Sequence, residues 1–255
     1  MRANKTKNKI WATCYGAFCH LTFLVAGLSM FFTILTGFTY SFGTLSGLGS
    51  LSANIFLLLQ FPIGHSFFLT NKGMKFLDLL APKDYAKTLR TTIYASVASL
   101  QLIALFIFWS PSNMVVWNVD YPLNLFMVML NLLSWTLLTI SSIQAGYQLQ
   151  TGSLGWVSLY KNERLRYPSM PKTGLFSLIR QPIYFSFCLV LWSSPMMTLD
   201  LFIVAVSYSC YCFFGPFFKE LRFGRLYGQE FEAYKSRTPY FLPRVNLRYF
   251  KNWII

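Results

Sequence analysis

An arginine and an amide stand directly before a proline at Arg180, Gln181 and Pro182. Proline is favoured in the first turn of a helix, so these residues predict a helix that begins here. The free N–H groups of a helix N-terminus, together with a guanidinium, favour a ligand with a carboxylate or another anionic group. The simpler interpretation is that Arg180 marks the edge of a membrane span, as basic residues often do.

A second polar set follows in the C-terminal tail, where Glu220 precedes a run rich in tyrosine and glutamate at 227–239. A carboxylate just beyond a membrane helix can accept ribose hydroxyl groups or attract a sulfonium or ammonium cation. Aromatic ring faces attract the same cations. The simpler interpretation is an amphipathic helix that lies on the membrane surface.

The two histidines, His20 and His65, fall inside apolar stretches, where a polar side chain raises a functional question. Neither has a Cys, Asp or Glu at a spacing typical of metal ligands, so the sequence predicts no metal site. The cysteines also lie in apolar stretches and are interpreted as buried thiols: Cys14, Cys19, Cys188, Cys210 and Cys212. We find no glycine-rich phosphate loop, nucleophile elbow or soluble dinucleotide fingerprint.

The elements that must position these residues are membrane helices. Hydrophobic residues make up 55% of the chain and charged residues only 12%, whereas soluble domains contain about 25% charged residues. A helix needs about 20 mostly apolar residues to cross a bilayer. Six stretches meet or nearly meet this length: 11–38, 50–70, 91–109, 122–147, 182–194 and 197–217. The last two predict a helical hairpin whose first member is short, and residues before Pro182 are one way to complete that crossing.

The basic residues fall on one side of this arrangement. All 22 Lys and Arg lie before the first stretch, in the second and fourth connections, or in the tail. The other connections contain only the acidic residues Asp120 and Asp200 as charges. Because Lys and Arg are retained in the cytoplasm, we predict six crossings with both termini cytoplasmic. Topology and anionic head groups account for the net charge of +14, so no nucleic-acid partner is expected.

The two polar sets resemble the C-terminal signature of the isoprenylcysteine carboxyl methyltransferase superfamily. Its usual form is Arg-His-Pro-x-Tyr, then Glu-Glu, then Gly-x-x-Tyr-x-x-Tyr before a proline; the chain carries related runs at 180–184, 219–221 and 227–234 with the spacing kept. The run at 191–198 is similar to the methanethiol S-methyltransferase branch. Residues 65–66 and 91–111 show a weaker resemblance to the same branch.

The resemblance implies a membrane-embedded methyltransferase that uses S-adenosylmethionine in a cytoplasm-facing pocket, with the acceptor entering from the membrane. It makes Arg180 and Glu220 the catalytic candidates. It also assigns cofactor binding to residues around them: Gln181, Pro182, Tyr184, Glu220, Tyr234 and Arg237. Two positions depart from the family pattern, since the histidine is Gln181 and the first glutamate is Lys219. Glutamine cannot take a proton, and Lys219 reverses a charge near the cofactor.

Together these observations predict an all-α polytopic membrane protein with about six transmembrane helices, a C-terminal helical hairpin and a cytoplasmic C-terminal helix. We divide it into an N-terminal four-helix region, 1–147, and a methyltransferase-like region, 148–255. The expected partners are the lipid bilayer and a small or lipophilic acceptor, foremost a thiol such as methanethiol. The alternatives are a prenylcysteine carboxylate or lipid acceptor, or a non-catalytic protein of the same fold, like nurim. The membrane is a bacterial inner membrane, or the endoplasmic reticulum or nuclear envelope of a eukaryote. The sequence does not set the oligomeric state.

Overall fold

The computed structural model describes residues 2–243 and confirms the all-α class, with 72% of residues in helices. The helices are, in chain order, α1 (Arg2–Leu35), α2 (Gly47–Phe67), α3 (Asn71–Asp78), α4 (Ala86–Phe108), α5 (Leu123–Gln144), α6 (Tyr147–Gln150), α7 (Ser153–Lys161), α8 (Leu175–Leu178), α9 (Pro182–Trp192), α10 (Leu199–Tyr227) and α11 (Gln229–Arg237). Within the described residues, α1, α2, α4, α5 and α10 are long and apolar enough to cross a membrane. The chain is an integral membrane protein.

Helix α9, the fifth of the six predicted crossings, is shorter than the others. Helix α9 has eleven residues and at 1.5 Å per residue covers about 16 Å, roughly half of a hydrocarbon core. The side chain of Gln144, at the end of α5, accepts a hydrogen bond of 2.8 Å from the Leu175 N–H. Further along, the Asn131 side chain donates to the Val190 carbonyl over 3.0 Å. Residues 175–192 therefore run antiparallel to α5, and α8 with residues 179–181 extends the short helix at its N-terminal end.

At the opposite end of the bundle, two short strands pair antiparallel, β1 (Val115–Asn118) and β2 (Met196–Thr198). The Asp200 carboxylate lies beside them and is 4% exposed. It accepts hydrogen bonds from Trp109 Nε1 (2.9 Å) and from the N–H and hydroxyl of Ser112 (2.8 and 2.7 Å). This carboxylate joins the start of α10 to the end of α4. The sequence predicted neither the strands nor this contact.

The core lies where α1, α2, α4, α9 and α10 meet. Its largest side chains have almost no exposed surface: Phe38, Phe106, Leu191, Leu201 and Tyr208. Large apolar side chains such as Leu21, Phe56 and Phe126 face outward, which suits contact with lipid. Cys14 and Cys210 are also exposed, so the expectation of buried thiols is wrong for these two, because they lie on outward helix faces.

Polar side chains on otherwise apolar helix surfaces join the helices to one another. Gln60 and Gln101 each donate from Nε2 to the main-chain oxygen of the other, over 2.8 and 2.7 Å, and thereby join α2 to α4. Tyr208 on α10 donates to the carbonyl of Leu58 on α2 over 3.3 Å. Of the basic residues that support the charge argument, Arg244, Arg248 and Lys251 lie outside the described residues.

Candidate functional site

The candidate site forms where the break before α9 meets the end of α10. Pro182 occupies the first turn of α9, as predicted, and leaves Arg180 and Gln181 in non-helical backbone. Helix α10 continues to Tyr227 and ends at Gly228, whose φ of +51° suits glycine. The chain then reverses into α11, and the Pro239 carbonyl accepts a hydrogen bond of 2.9 Å from the Arg180 N–H. The tail therefore returns to the residues that precede α9.

Arg180 and Glu220 form a two-pronged ion pair at this junction. Arg180 Nε donates to Glu220 Oε1 over 2.8 Å, and Nη2 donates to Oε2 over 3.2 Å. Only 10% and 9% of the two side chains are exposed. Charged hydrogen bonds are strengthened where water is excluded, so this pair is a fixed electrostatic feature. The structure thus brings the two predicted residues into direct contact.

The other end of the Arg180 guanidinium binds the tail. Nη1 donates to the carbonyls of Thr238 (2.6 Å) and Lys235 (3.2 Å). The Tyr240 ring lies 5.4 Å from the guanidinium carbon, within the range of a cation–π contact. Arg180 thus connects α10 to the C-terminal end of α11 as well as contributing charge.

Gln181 and Lys219 extend the polar network inward. Gln181 is 1% exposed; its Nε2 donates to Glu220 Oε1 and its Oε1 accepts from Lys219 Nζ, both over 2.7 Å. The Lys219 ammonium also lies 5.4 Å from the centre of the Tyr184 ring and 5.7 Å from that of Phe223. Both residues that depart from the family pattern are therefore bonded to each other at the centre of the site.

Tyr234 and Arg237, the two predicted residues on α11, differ in their surroundings. The Tyr234 hydroxyl donates to the Phe176 carbonyl over 2.6 Å. Burial, reinforced by Glu220 and opposed by Arg180, raises the pKa of Tyr234 to about 12, so the phenol remains protonated at neutral pH. Arg237 is exposed at the end of α11 and takes no part in these bonds.

The network leaves little free space in its centre. A cavity of about 10 Å³ lies among Arg180, Gln181, Lys219, Glu220 and other side chains, room for about one water molecule. An open groove of about 400 Å³ lies alongside it, between α10 and α11. Glu220 and Phe231 line both spaces, so these two side chains lie at the boundary between them.

Sequence reasoning missed several contacts that hold α11 over the site. Lys172 Nζ and Glu230 Oε1 form an exposed ion pair of 2.7 Å, and main-chain oxygens of residues 176, 235, 238 and 239 accept the bonds described above. Main-chain acceptors carry no sequence signature. In the sequence, Pro239 indicated these contacts, since it sets where the tail turns back. Among residues 2–243, no group of three or more His, Cys, Asp or Glu is arranged to hold a metal ion.

Comparison with known proteins places this site in context. No family model matches the chain, and no solved structure matches it. The sequence is 26% identical over 241 residues to methanethiol S-methyltransferase 1 of Bradyrhizobium diazoefficiens, covering 92% of this chain and 83% of that protein. It is 25% identical over 254 residues to methanethiol S-methyltransferase of Crocosphaera subtropica, covering 95% and 96%.

A third relative is the methanethiol S-methyltransferase of Mycobacterium tuberculosis, which is 25% identical over 244 residues that cover 90% of this chain and 94% of the relative. The matches extend over both the membrane helices and the site. Relatives from three distant bacteria therefore carry one name. Over most of its length the chain is similar to proteins named methanethiol S-methyltransferase, which confirms the resemblance predicted from its C-terminal motifs.

Proposed function

We propose that the chain is a membrane-embedded methyltransferase that uses S-adenosylmethionine to methylate a small thiol, methanethiol foremost. The observation that carries the proposal is the buried junction of Arg180 and Glu220, built from two chain segments 40 residues apart. Its relatives named methanethiol S-methyltransferase supply the acceptor. A thiol acceptor also suits the surroundings, because apolar helices can admit a small, poorly hydrated molecule from the lipid.

The residues of the junction fit this cofactor. S-adenosylmethionine, when bound, supplies a methyl group on a sulfonium, together with a carboxylate, an ammonium and ribose hydroxyl groups. Arg180 suits the carboxylate, and Glu220 suits the ammonium or the hydroxyl groups. The rings of Tyr184 and Phe223 already lie against a cation, the Lys219 ammonium, and a sulfonium is attracted to aromatic faces in the same way.

Cofactor entry requires the site to open toward the groove. Ligand pockets usually have volumes of about 300–1,000 Å³, and the groove of about 400 Å³ is in that range. The Tyr234 bond to Phe176 and the Lys172–Glu230 pair hold α11 in its present position. We propose that cofactor binding exchanges part of the Arg180–Glu220 pairing for contacts with the cofactor.

The chain's residues contribute to rate mainly by orientation. Methyl transfer is an in-line displacement, so alignment of donor and acceptor sulfur supplies much of the acceleration. A pocket that excludes water raises the reactivity of a thiolate, because the reaction disperses its charge. The distribution of Lys and Arg supports a site that faces the cytoplasm, with both termini on that side.

One observation favours a second candidate, a non-catalytic membrane protein of the same fold. Hydrogen bonds join the four central side chains to one another: Arg180, Glu220, Gln181 and Lys219. A purely structural role requires no ligand in addition to these bonds. The two candidates differ in cofactor binding, which only the enzyme requires. A prenylcysteine carboxylate or a lipid remains the alternative acceptor for the enzyme.

Calorimetry with S-adenosylhomocysteine on detergent-solubilised protein separates the candidates, since the enzyme is expected to bind and the non-catalytic protein is not. Headspace detection of dimethyl sulfide, made from methanethiol and S-adenosylmethionine, then tests the acceptor against a prenylcysteine and a lipid. Absence of binding at millimolar ligand would overturn the enzyme proposal.

Replacing Glu220 tests the site itself. Glu220→Gln keeps the side-chain shape but removes the charge that faces Arg180, and we expect dimethyl sulfide formation to fall at least about 100-fold. The matched control is Glu163→Gln, an exposed glutamate outside the site, which is expected to retain activity. Full activity in Glu220→Gln, with equal thermal stability, would show that the reaction occurs elsewhere.

A further inference from the structure

A second polar cluster lies between α2, α4 and α10 and plays no part in the Arg180–Glu220 site. His65 on α2 is half-buried beside Tyr94 on α4, with 2.8 Å between His65 Nε2 and the Tyr94 hydroxyl. Ser66 Oγ lies 3.1 Å from the hydroxyl of Tyr211 on α10. Polar groups at this depth are costly unless they serve a purpose, because each must find a partner away from water.

The hydrogen bonds of Tyr94 are compatible with a His65 ring whose Nδ1 has a free lone pair. Near the end of α2 the Leu69 N–H bonds to the Ser66 carbonyl rather than to that of His65. The Tyr94 hydroxyl has one proton and lies within hydrogen-bond distance of both this His65 carbonyl (3.3 Å) and His65 Nε2 (2.8 Å). A base at Nδ1 requires the tautomer in which Tyr94 donates to the carbonyl and Nε2 carries the ring proton, which leaves Nδ1 with a lone pair.

That lone pair has no partner within the protein. Nδ1 of His65 is buried and makes no hydrogen bond with any residue of the described range 2–243. Buried polar atoms are nearly always bonded, so one that is not calls for an explanation such as a bound molecule. A neutral imidazole nitrogen in an apolar site is suited to accept a proton from a weakly acidic group.

The surroundings of His65 suit a small apolar acceptor. The rings of Phe61 and Tyr208 lie 5.9 Å apart, and the Phe61 ring is also 5.0 Å from that of His65. Ser66 is exposed, so the cluster reaches the surface of the helix bundle.

The cluster is at the same end of the bundle as the cofactor-site candidates. His65 is in the last turn of α2, whereas Tyr184 is in the first turn of α9. The Tyr184 ring lies against Lys219, so α9 begins with a cofactor-site candidate at the end of the bundle where His65 lies.

We propose that His65 and its neighbours form the acceptor site and that His65 Nδ1 takes the proton of the thiol. This inference rests on the proposed function. The S–H proton moves to Nδ1, and the thiolate sulfur forms a bond to the methyl carbon. The bond between that carbon and the sulfonium sulfur breaks, and its electron pair stays with that sulfur as a neutral thioether. Imidazolium then loses the proton to solvent.

His65→Gln tests the proposal, because its amide can still bond to Tyr94 but offers no basic nitrogen. For methanethiol, which is protonated at neutral pH, we expect kcat/KM to fall about 100-fold or more. Thiophenol is largely a thiolate at that pH and needs no base, so its rate is expected to stay within about threefold of wild type. Binding of S-adenosylhomocysteine should be unchanged. His20→Gln is the matched control, since His20 bonds to Trp156 away from this cluster.

A second measurement needs neither cofactor nor turnover. A thiol that donates to Nδ1 changes the nitrogen-15 chemical shift of that atom, so butanethiol added to wild-type protein in micelles, with its histidines labelled, should shift the His65 Nδ1 signal. The shift should persist in His20→Gln, and the signal that moves should be missing from His65→Gln. A wild-type His65 signal that butanethiol does not move overturns the acceptor site, as does an equal loss of activity with both thiols.

Different results would overturn the acceptor site and the methyltransferase proposal. A His65 Nδ1 signal that butanethiol shifts, in protein that neither binds S-adenosylhomocysteine nor makes dimethyl sulfide, would leave the acceptor site standing and end the methyltransferase proposal. Cofactor binding and methylation that His65→Gln leaves unchanged would overturn the acceptor site and leave the methyltransferase proposal standing.

Discussion

At the residue scale, Lys219 is the feature that bears most directly on cofactor affinity. Its ammonium lies against the Tyr184 and Phe223 rings and donates to Gln181, which is where we place the sulfonium. Two cations a few ångströms apart repel each other appreciably in a poorly hydrated site. Lys219 therefore opposes the charged donor more than it opposes the neutral thioether product.

Lys219→Met is expected to strengthen binding of S-adenosylmethionine relative to S-adenosylhomocysteine by about tenfold, or about 1.4 kcal/mol. The reason is that only the first ligand carries the sulfonium charge. Calorimetric affinities for both ligands measure the ratio, with Lys161→Met, at an exposed position on α7, as the control. An equal change for both ligands would show that Lys219 does not meet the sulfonium.

The family resemblance predicted that the residues around positions 180 and 220 share one site, and the residue types predicted the helix that begins at Pro182. The sequence did not predict how Lys219 affects its neighbours. A charge reversal in the sequence indicates conflict, whereas the structure pairs Lys219 with the oxygen of Gln181, the other departing residue. Such compensation depends on a distance between side chains and cannot be inferred from one sequence.

At the scale of elements, the end of the bundle opposite the site depends on one carboxylate. Asp200 accepts three hydrogen bonds from Trp109 and Ser112 and lies where α10 begins beside β2. A buried carboxylate that accepts several bonds is costly to neutralise, since its donors lose their charged partner.

Asp200→Asn is therefore expected to lower the free energy of unfolding by about 2–3 kcal/mol while leaving binding of S-adenosylhomocysteine unchanged. The change is visible as a lower melting temperature in detergent. Asp120→Asn provides the comparison, because Asp120 is exposed in the same region, and surface changes usually stay within about 0.5 kcal/mol. Equal melting temperatures for the two variants would contradict the assigned role of Asp200.

The helices were predicted well and the strands not at all, for a physical reason. A run of about 20 apolar residues in the sequence indicates each long helix. Observed bounds such as Gly47–Phe67 and Ala86–Phe108 overlap the predicted 50–70 and 91–109. By contrast, β1 and β2 contain four and three residues. Their pairing joins connections 80 residues apart, so no local pattern reveals it.

At the scale of the whole molecule, the site lies at the break before α9, the fifth of the six predicted crossings. Non-helical backbone at membrane depth is tolerated only where protein or a cavity covers it, because lipid offers no hydrogen bonds. Here the Arg180 N–H bonds to the Pro239 carbonyl, and α10 and α11 cover the segment. The short apolar run at 182–194, an apparent weakness of the six-helix prediction, thus coincides with the candidate site.

The same arrangement predicts how the chain sits in its membrane. In the predicted arrangement of six crossings, α5 crosses between the connection after α4 and the segment after α7, so these two segments lie on opposite faces. Asp120 and Glu163 are exposed in these two segments. Asp120→Cys should react with an impermeant maleimide in intact cells, whereas Glu163→Cys should react only after the cells are permeabilised. Labelling of both positions from outside would reduce the crossings to five and remove the cytoplasmic site, because the charge pattern then no longer separates the two faces.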